Sequence, residues 1–272
     1  MKNDLKVRII SAFIALLIVI PILIIGGYPF YIGACLLGII GFNELLSLKN
    51  QEKKLSISIK FISILCFLLF IISSLNIDSY SFSIDYKYIV ITFLALLLPL
   101  LSGKKKEYNE SDAFYLIGII IFLGVAFRYL IIFRNIGLNY ILYLLVITIM
   151  TDTFAHFFGT KVGKVKLCPL VSPNKTVEGM LGGTFFGTFM GSIFYLTVIN
   201  PSINTYYILI VSLLLSLIAQ AGDLVFSAIK RKYDVKDYGN IMPGHGGVLD
   251  RLDSLIFAIL TFSIIFKYLM IW

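Results

Sequence analysis

The sequence predicts an all-α, polytopic integral membrane protein of about nine transmembrane helices with a cytoplasmic N-terminus. Three observations predict it. Of 272 residues, 59% are hydrophobic and 14% charged, with mean hydropathy +0.95, whereas a soluble domain is nearer half apolar and a quarter charged. The apolar residues fall in runs, many near the ~20 residues that cross a bilayer as helix. The basic residues gather between alternate runs.

Lys2, Lys6 and Arg8 precede the first run, 9–26. It is longer than a secretory signal core and no small-residue cleavage site follows, so it reads as a retained helix. The second run, 28–47, holds Asn43 and Glu44, the one acid in an early span, for which an interhelical bond is expected. Runs 61–76 and 88–102 are short, and are expected to borrow flanking residues or to tilt less. Run 113–132 is uninterrupted. Run 138–160 carries Asp152 and His156 one helical turn apart; a satisfied buried pair is the expectation for His156, and a functional role is open for Asp152. Runs 177–199, 205–228 and 254–271 complete the set.

Nine spans from a cytoplasmic start put all of the 23 basic residues on the cytoplasmic side except Lys87, Arg128, Arg134 and Lys267. Cytoplasmic loops carry such an excess, so the asymmetry supports both count and orientation. A net charge of +8 therefore reflects topology and anionic lipid or phosphate ligands. No basic stripe with interleaved aromatics points to nucleic acid. Cys35, Cys66 and Cys168 are too scattered for a disulfide framework or a metal site. The motif-bearing residues lie late in the chain. Residues 1–112 are therefore expected to be an N-terminal scaffold, and 113–272 a C-terminal catalytic half with its site toward the cytoplasm.

Two stretches carry the chemistry. In VSPNKTVEGMLGG, from Val171 to Gly183, Thr176 can cap a helix starting near Val177, with Glu178 in its first turn and Lys175 beside the cap. Such a terminus suits an anion; an ordinary capped start with a snorkelling lysine reads equally well. In the stretch from Gly222 to Ser254, Asp223 sits in or near the end of a span, where an acid is costly and is by default a functional candidate. Asp250 and Asp253, spaced i, i+3, share a face if the last helix begins there. Three carboxylates from two helices call for a cation, and oxygen ligands of this kind suit Mg²⁺. The glycines of Pro243–Gly247 allow a sharp turn that points N–H groups at an anion. Lys230, Arg231, Lys236 and Arg251 can hold phosphate charge. No nucleophile elbow, HExxH or Walker A motif is present.

These residues resemble the phosphatidate cytidylyltransferase (CDP-diacylglycerol synthase) family. The resemblance rests on Ser227, Ile229, Lys230, Arg231, Lys236, Asp237, Gly239, Pro243, His245, Gly246, Gly247, Asp250, Arg251 and Asp253, at the family's spacing. SPNKTVEG, Ser172 to Gly179, and Asp152 through Ala155 to Gly159 resemble two further elements. Met242 replaces a branched or aromatic residue, and His156 stands where the family has tyrosine.

The resemblance implies transfer of CMP from CTP to phosphatidic acid, releasing pyrophosphate, at a bacterial inner (plasma) membrane. A phosphate monoester has a second pKa of ~6, so the nucleophile is already ionised and needs no strong base. It implies Asp223 and Asp250 as Mg²⁺ ligands with Asp253 beside them, and leaves room for a second ion. It implies Lys175, Ser172 and Thr176 at the CTP phosphates, in an element that includes Pro173, Glu178 and Gly179, with Asp152 nearby. Lys230, Arg231, Lys236 and Arg251 would meet phosphate charge, and Asp237 belongs to the same motif. Gly246 and Gly247 would allow close backbone approach, and His245 would orient a phosphate or a metal ligand. A homodimer is compatible with the apolar faces. A CTP-dependent lipid kinase is the nearest rival, and an ion-coupled transporter using Glu44, Asp152 and Asp223 is the rival from another class.

Overall fold

A computed structural model describes residues 2–72, 86–102, 107–241, 243–244 and 246–269, with the side chains of residues 2–9 and of Lys267 left aside. The predicted contributions of Lys104, Lys105, Lys106, Met242 and His245 lie outside the described residues. Nine helices are present among those described: α1 (Lys2–Ile25), α2 (Gly27–Glu52), α3 (Ile57–Ile72), α4 (Tyr86–Leu97), α5 (Glu110–Ile136), α6 (Leu138–Lys161), α7 (Val177–Phe194), α8 (Thr205–Lys232) and α9 (Leu249–Leu269). Within the described residues, each predicted apolar run falls on one of them. Five, namely α2, α5, α6, α7 with its π-helical extension to Ile199, and α8, are long and apolar enough to cross a membrane. Three shorter apolar stretches lie at Ile10–Ile25, Ile57–Ile72 and Tyr86–Ser102. Fold class is therefore all-α and polytopic.

One element was not expected. Between α6 and α7 the chain forms an antiparallel hairpin, β1 (Lys166–Cys168) and β2 (Ser172–Thr176), in the register Lys166↔Thr176 and Cys168↔Ser172. Ser172–Thr176 reads in the sequence as loop, because strands this short show too few alternations to reveal a period of two.

The chain divides into two compact units: Met1–Ile132 with Asp237–Leu249, and Phe133–Lys236 with Asp250–Trp272. In the first, Phe42 stacks on Phe67 at 5.2 Å and Phe67 meets Phe127 edge-on at 6.5 Å. Asp112, buried at the start of α5, ties this unit together. Its carboxylate takes Lys53 Nζ at 2.6 Å and Lys49 Nζ at 3.4 Å. It also accepts from the Asn109 backbone N–H, while Asn109 Oδ1 accepts from its own. A buried acid that is both paired and capped is a stable arrangement.

In the second unit Phe133, Tyr140, Phe262 and Phe266 pack ring against ring at 4.9–6.4 Å. Helix α7 lies against α6 on a face of Gly179, Gly183, Gly187 and Gly191, the small-residue spacing that lets membrane helices approach closely. A Cβ on Gly183 would stand 2.6 Å from the Thr151 carbonyl oxygen, and one on Gly179 2.6 Å from that of Ala155. Backbone oxygens of a neighbouring helix cannot step aside. Gly183→Leu is thus expected to destabilise by about 3 kcal/mol or more through overpacking. Thermal unfolding in detergent checks this; an unchanged melting curve would mean that the helices pack less closely.

Candidate active site

The second unit gathers charge from three elements. Lys175 stands on β2, one residue before Thr176, the cap of α7. Thr176 Oγ1 accepts from the Gly179 N–H at 3.1 Å, so the predicted cap forms. Both Glu178 oxygens accept from the Val165 N–H at 3.2 Å, which ties the first turn of α7 to the chain entering the hairpin. Lys175 is thereby held at a fixed base, and its Nζ lies 2.5 Å from Asp223 Oδ2.

Asp223 lies within α8, which runs four residues further than the predicted run and puts Lys230 and Arg231 on its last turn. Ser227 Oγ donates to Asp223 Oδ1 at 3.3 Å, one turn along. Lys230, a further turn on, places Nζ 2.7 Å from Asp250 Oδ1. Asp250 lies in the first turn of α9, and Asp253 follows on the same face. The charges communicate: Asp152 and Asp253 both feel Asp223, Lys175 acts on Asp152, and Lys230 acts on Asp253. Four carboxylates and two ammonium groups thus form one electrostatic cluster, drawn from α6, β2, α8 and α9.

Other predicted residues fall around it. Arg231 Nε donates to the Val171 carbonyl and its Nη1 to that of Val235, both at 3.3 Å, so Arg231 secures the hairpin turn. Lys236 and Arg251 are exposed, as is Pro173, while Ser172 is half-buried in β2. His156 is exposed rather than the buried partner expected for Asp152. It sits with Phe157 and Thr160 on the outward side of α6.

Asp237, Gly246 and Gly247 belong to the first unit. Gly246 has φ +83°, a conformation that glycine adopts without strain. Gly247 faces Glu44: any Cβ there would collide with the Glu44 carboxylate. That carboxylate accepts from the Val248 N–H through Oε1 and from the Leu249 N–H through Oε2, both at 2.8 Å. The interelement bond expected for Glu44 is therefore to the start of α9. Leu249 in turn packs over Gly41.

Beneath Asp223, α8 carries a polar stripe that sequence reasoning passed over. Ser212 bonds Tyr143 at 2.8 Å, Ser216 bonds Thr151 at 2.7 Å, and Gln220 donates to Thr184 Oγ1 at 2.8 Å. The four-residue spacing of Ser212, Ser216 and Gln220 in an apolar run was the available signal. The stripe orients α8 and so aims Asp223.

Do these residues fit Mg²⁺? Among the described residues no three Asp, Glu, His or Cys are gathered into a ready-made cage. Mg²⁺ does not require one, since it is usually held by one or two carboxylates plus substrate phosphates and water. The donors here are all oxygen, and two of the acids already seat a cation. The set fits a hard divalent ion.

A model of the cytidylyltransferase family matches residues 6–269. A phosphatidate cytidylyltransferase of Staphylococcus haemolyticus is 37% identical over 262 residues, covering 96% of this chain and 98% of its own. Those of Staphylococcus saprophyticus and Staphylococcus aureus are 38% and 37% identical over 264 and 267 residues, with the same coverage of each chain.

Proposed function

The chain belongs to the cytidylyltransferase family, and from that membership we propose that the charge cluster of its second unit is the active site for joining CTP to phosphatidic acid. The chain is a phosphatidate cytidylyltransferase-type enzyme of phospholipid biosynthesis, and its substrates are CTP and phosphatidate in a membrane setting. A phosphatidate oxygen forms a bond to the α-phosphorus of CTP, and the bond from that phosphorus to the bridging oxygen breaks. CDP-diacylglycerol and pyrophosphate result.

One observation supports the siting: Lys175 of one sequence motif pairs with Asp223 of another, and Lys230 pairs with Asp250 from the opposite end of its own motif, all in one unit. The reaction brings polyanions together, and the chain supplies the countercharge. Lys175 and Lys230 stand at the cluster, and Arg231 at its edge. In this reading Lys175, with Ser172 and Thr176, serves the nucleotide phosphates. Lys230, Arg231, Lys236 and Arg251 serve phosphatidate and the departing pyrophosphate. Asp223, Asp250 and Asp253 would hold Mg²⁺, which when bound stabilises charge on the transferring and leaving phosphates. The chemical half is residues 113–272, with 1–112 as its scaffold.

The finer setting is part of the same proposal. The membrane is the bacterial plasma membrane, with the site toward the cytoplasm, on the support of the basic-residue distribution. The assembly is a homodimer. The outward ladder of Leu181, Phe185, Phe189 and Ile193 on α7 is a face that can meet lipid or a second copy, and the mass of the detergent-solubilised protein decides between them.

Purified protein in lipid micelles with Mg²⁺, labelled CTP and phosphatidic acid should release one pyrophosphate per CDP-diacylglycerol. Formation of CDP and a lipid phosphate from a lipid alcohol would instead favour a kinase. Lys175→Ala should raise the KM for CTP about 10-fold or more, the order of a lost charge-assisted contact. An unchanged KM would return Lys175 to the role of a helix-start lysine.

A further inference from the structure

Lys175 and Lys230 occupy the carboxylates that the functional reading gives to the metal. Lys175 Nζ is 2.5 Å from Asp223 Oδ2, and Lys230 Nζ is 2.7 Å from Asp250 Oδ1. The second pair is well enclosed, with side chains 12% and 6% exposed; the first is more open, at 28% and 26%. Resting on the proposed function, we propose that these lysines are place-holding cations: a divalent ion displaces both from the acids, and the freed ammonium groups then bind the triphosphate.

Charge makes the exchange balanced. Asp223 and Asp250 carry two formal negative charges between them, which the two lysines offset. Withdrawing the lysines alone would leave both acids without these counter-ions. One divalent ion brings the same charge as the two lysines together, so the cluster's net charge is unchanged by the swap.

The lysines can move without disturbing the fold. Lys175 lies just outside α7 and Lys230 on the last turn of α8, and each carries a flexible four-carbon stem ending in three rotatable donors. The helix ends themselves stay anchored, by Thr176 at one and by the Arg231 bond to Val171 at the other.

The consequence is linkage. Metal binding uncovers the nucleotide's ligands, and nucleotide binding removes the metal's competitors. By reciprocity each tightens the other by the same factor, and couplings of this type run about 5- to 150-fold. Each alone binds weakly to the resting protein.

The test uses Mn²⁺ as probe, read by electron paramagnetic resonance on the purified full-length protein in detergent, without nucleotide or added phosphatidate. Lys230→Gln removes a competitor, so Mn²⁺ alone should bind at least 5-fold tighter than to wild type. CTP binding in saturating Mn²⁺, measured by calorimetry, should weaken at least 10-fold in the same variant. Lys175→Gln should shift both in the same opposed directions. Mn²⁺ affinity unchanged or reduced in both variants would overturn the proposal, because permanent structural pairs predict that. Lys230→Arg guards against a misfolded glutamine variant: it keeps the pair with a group that matches carboxylate more firmly, and should weaken Mn²⁺ binding. Equal or tighter binding there would also overturn it. Tighter Mn²⁺ binding in a protein that forms no CDP-diacylglycerol would sink the functional reading and leave the exchange standing. Normal product formation with unaltered Mn²⁺ affinities would do the reverse.

Discussion

Asp223→Asn is expected to lower CDP-diacylglycerol formation by about 10³-fold, the scale of losing one well-placed electrostatic group, with little effect on folding. Asp223 is the hub of the cluster, since Asp152 and Asp253 both sense its charge and Lys175 sits on it. Asparagine keeps the shape and removes one negative charge. The neighbouring acids lose a repulsive partner, while Lys175 loses an attractive one in a half-exposed setting. These changes oppose each other in stability but not in the proposed chemistry, where the cation loses a ligand. Initial rates at saturating CTP and Mg²⁺, set beside thermal unfolding in detergent, separate the two. Near-normal turnover would mean that the metal and phosphates are handled elsewhere.

Glu44→Ala is expected to be the most damaging single change in the first unit, at about 3–5 kcal/mol. Two buried N–H groups, of Val248 and Leu249, lose a charged acceptor at once, and hydrogen bonds to charged groups are worth ~1.5–3 kcal/mol each. Glu44→Gln should recover less than half, since its amide offers one acceptor and sets a donor against a donor. The loss is coupled to Gly247, whose missing Cβ makes room for the carboxylate. Gly247→Ala should therefore cost clearly less in the Glu44→Ala background than alone. Strict additivity of the two melting shifts would show that they do not share a site.

The helices were legible because each satisfies a local rule: a sustained apolar run, of spanning length in five cases, with basic residues near one end. Thr176 as a cap was legible for the same reason, since its donor lies three residues away. So was the shared face of Asp250 and Asp253. What the sequence withheld was whatever depends on distant partners. The hairpin was hidden by its brevity. Arg231, read as a phosphate ligand, bonds the Val171 carbonyl, a partner no local pattern announces. The glycines of α7 were visible at four-residue spacing, but the helix they fit against was not. Gly247, read as room for a ligand's phosphate, also makes room for an acid from the second helix.

That last contact bears on the order in which the protein is made. Glu44 and Val248 are 204 residues apart. At typical rates of synthesis, ~5–20 residues per second, roughly 10–40 s separate their emergence from the ribosome. Through that interval the second helix carries an acid that has not yet met the Val248 and Leu249 N–H groups, in a setting where such a group is costly. A chain cut short before Val248 never supplies those two donors. A chain lacking only its last helix would therefore still bear, on its second helix, the mark of an unfinished product.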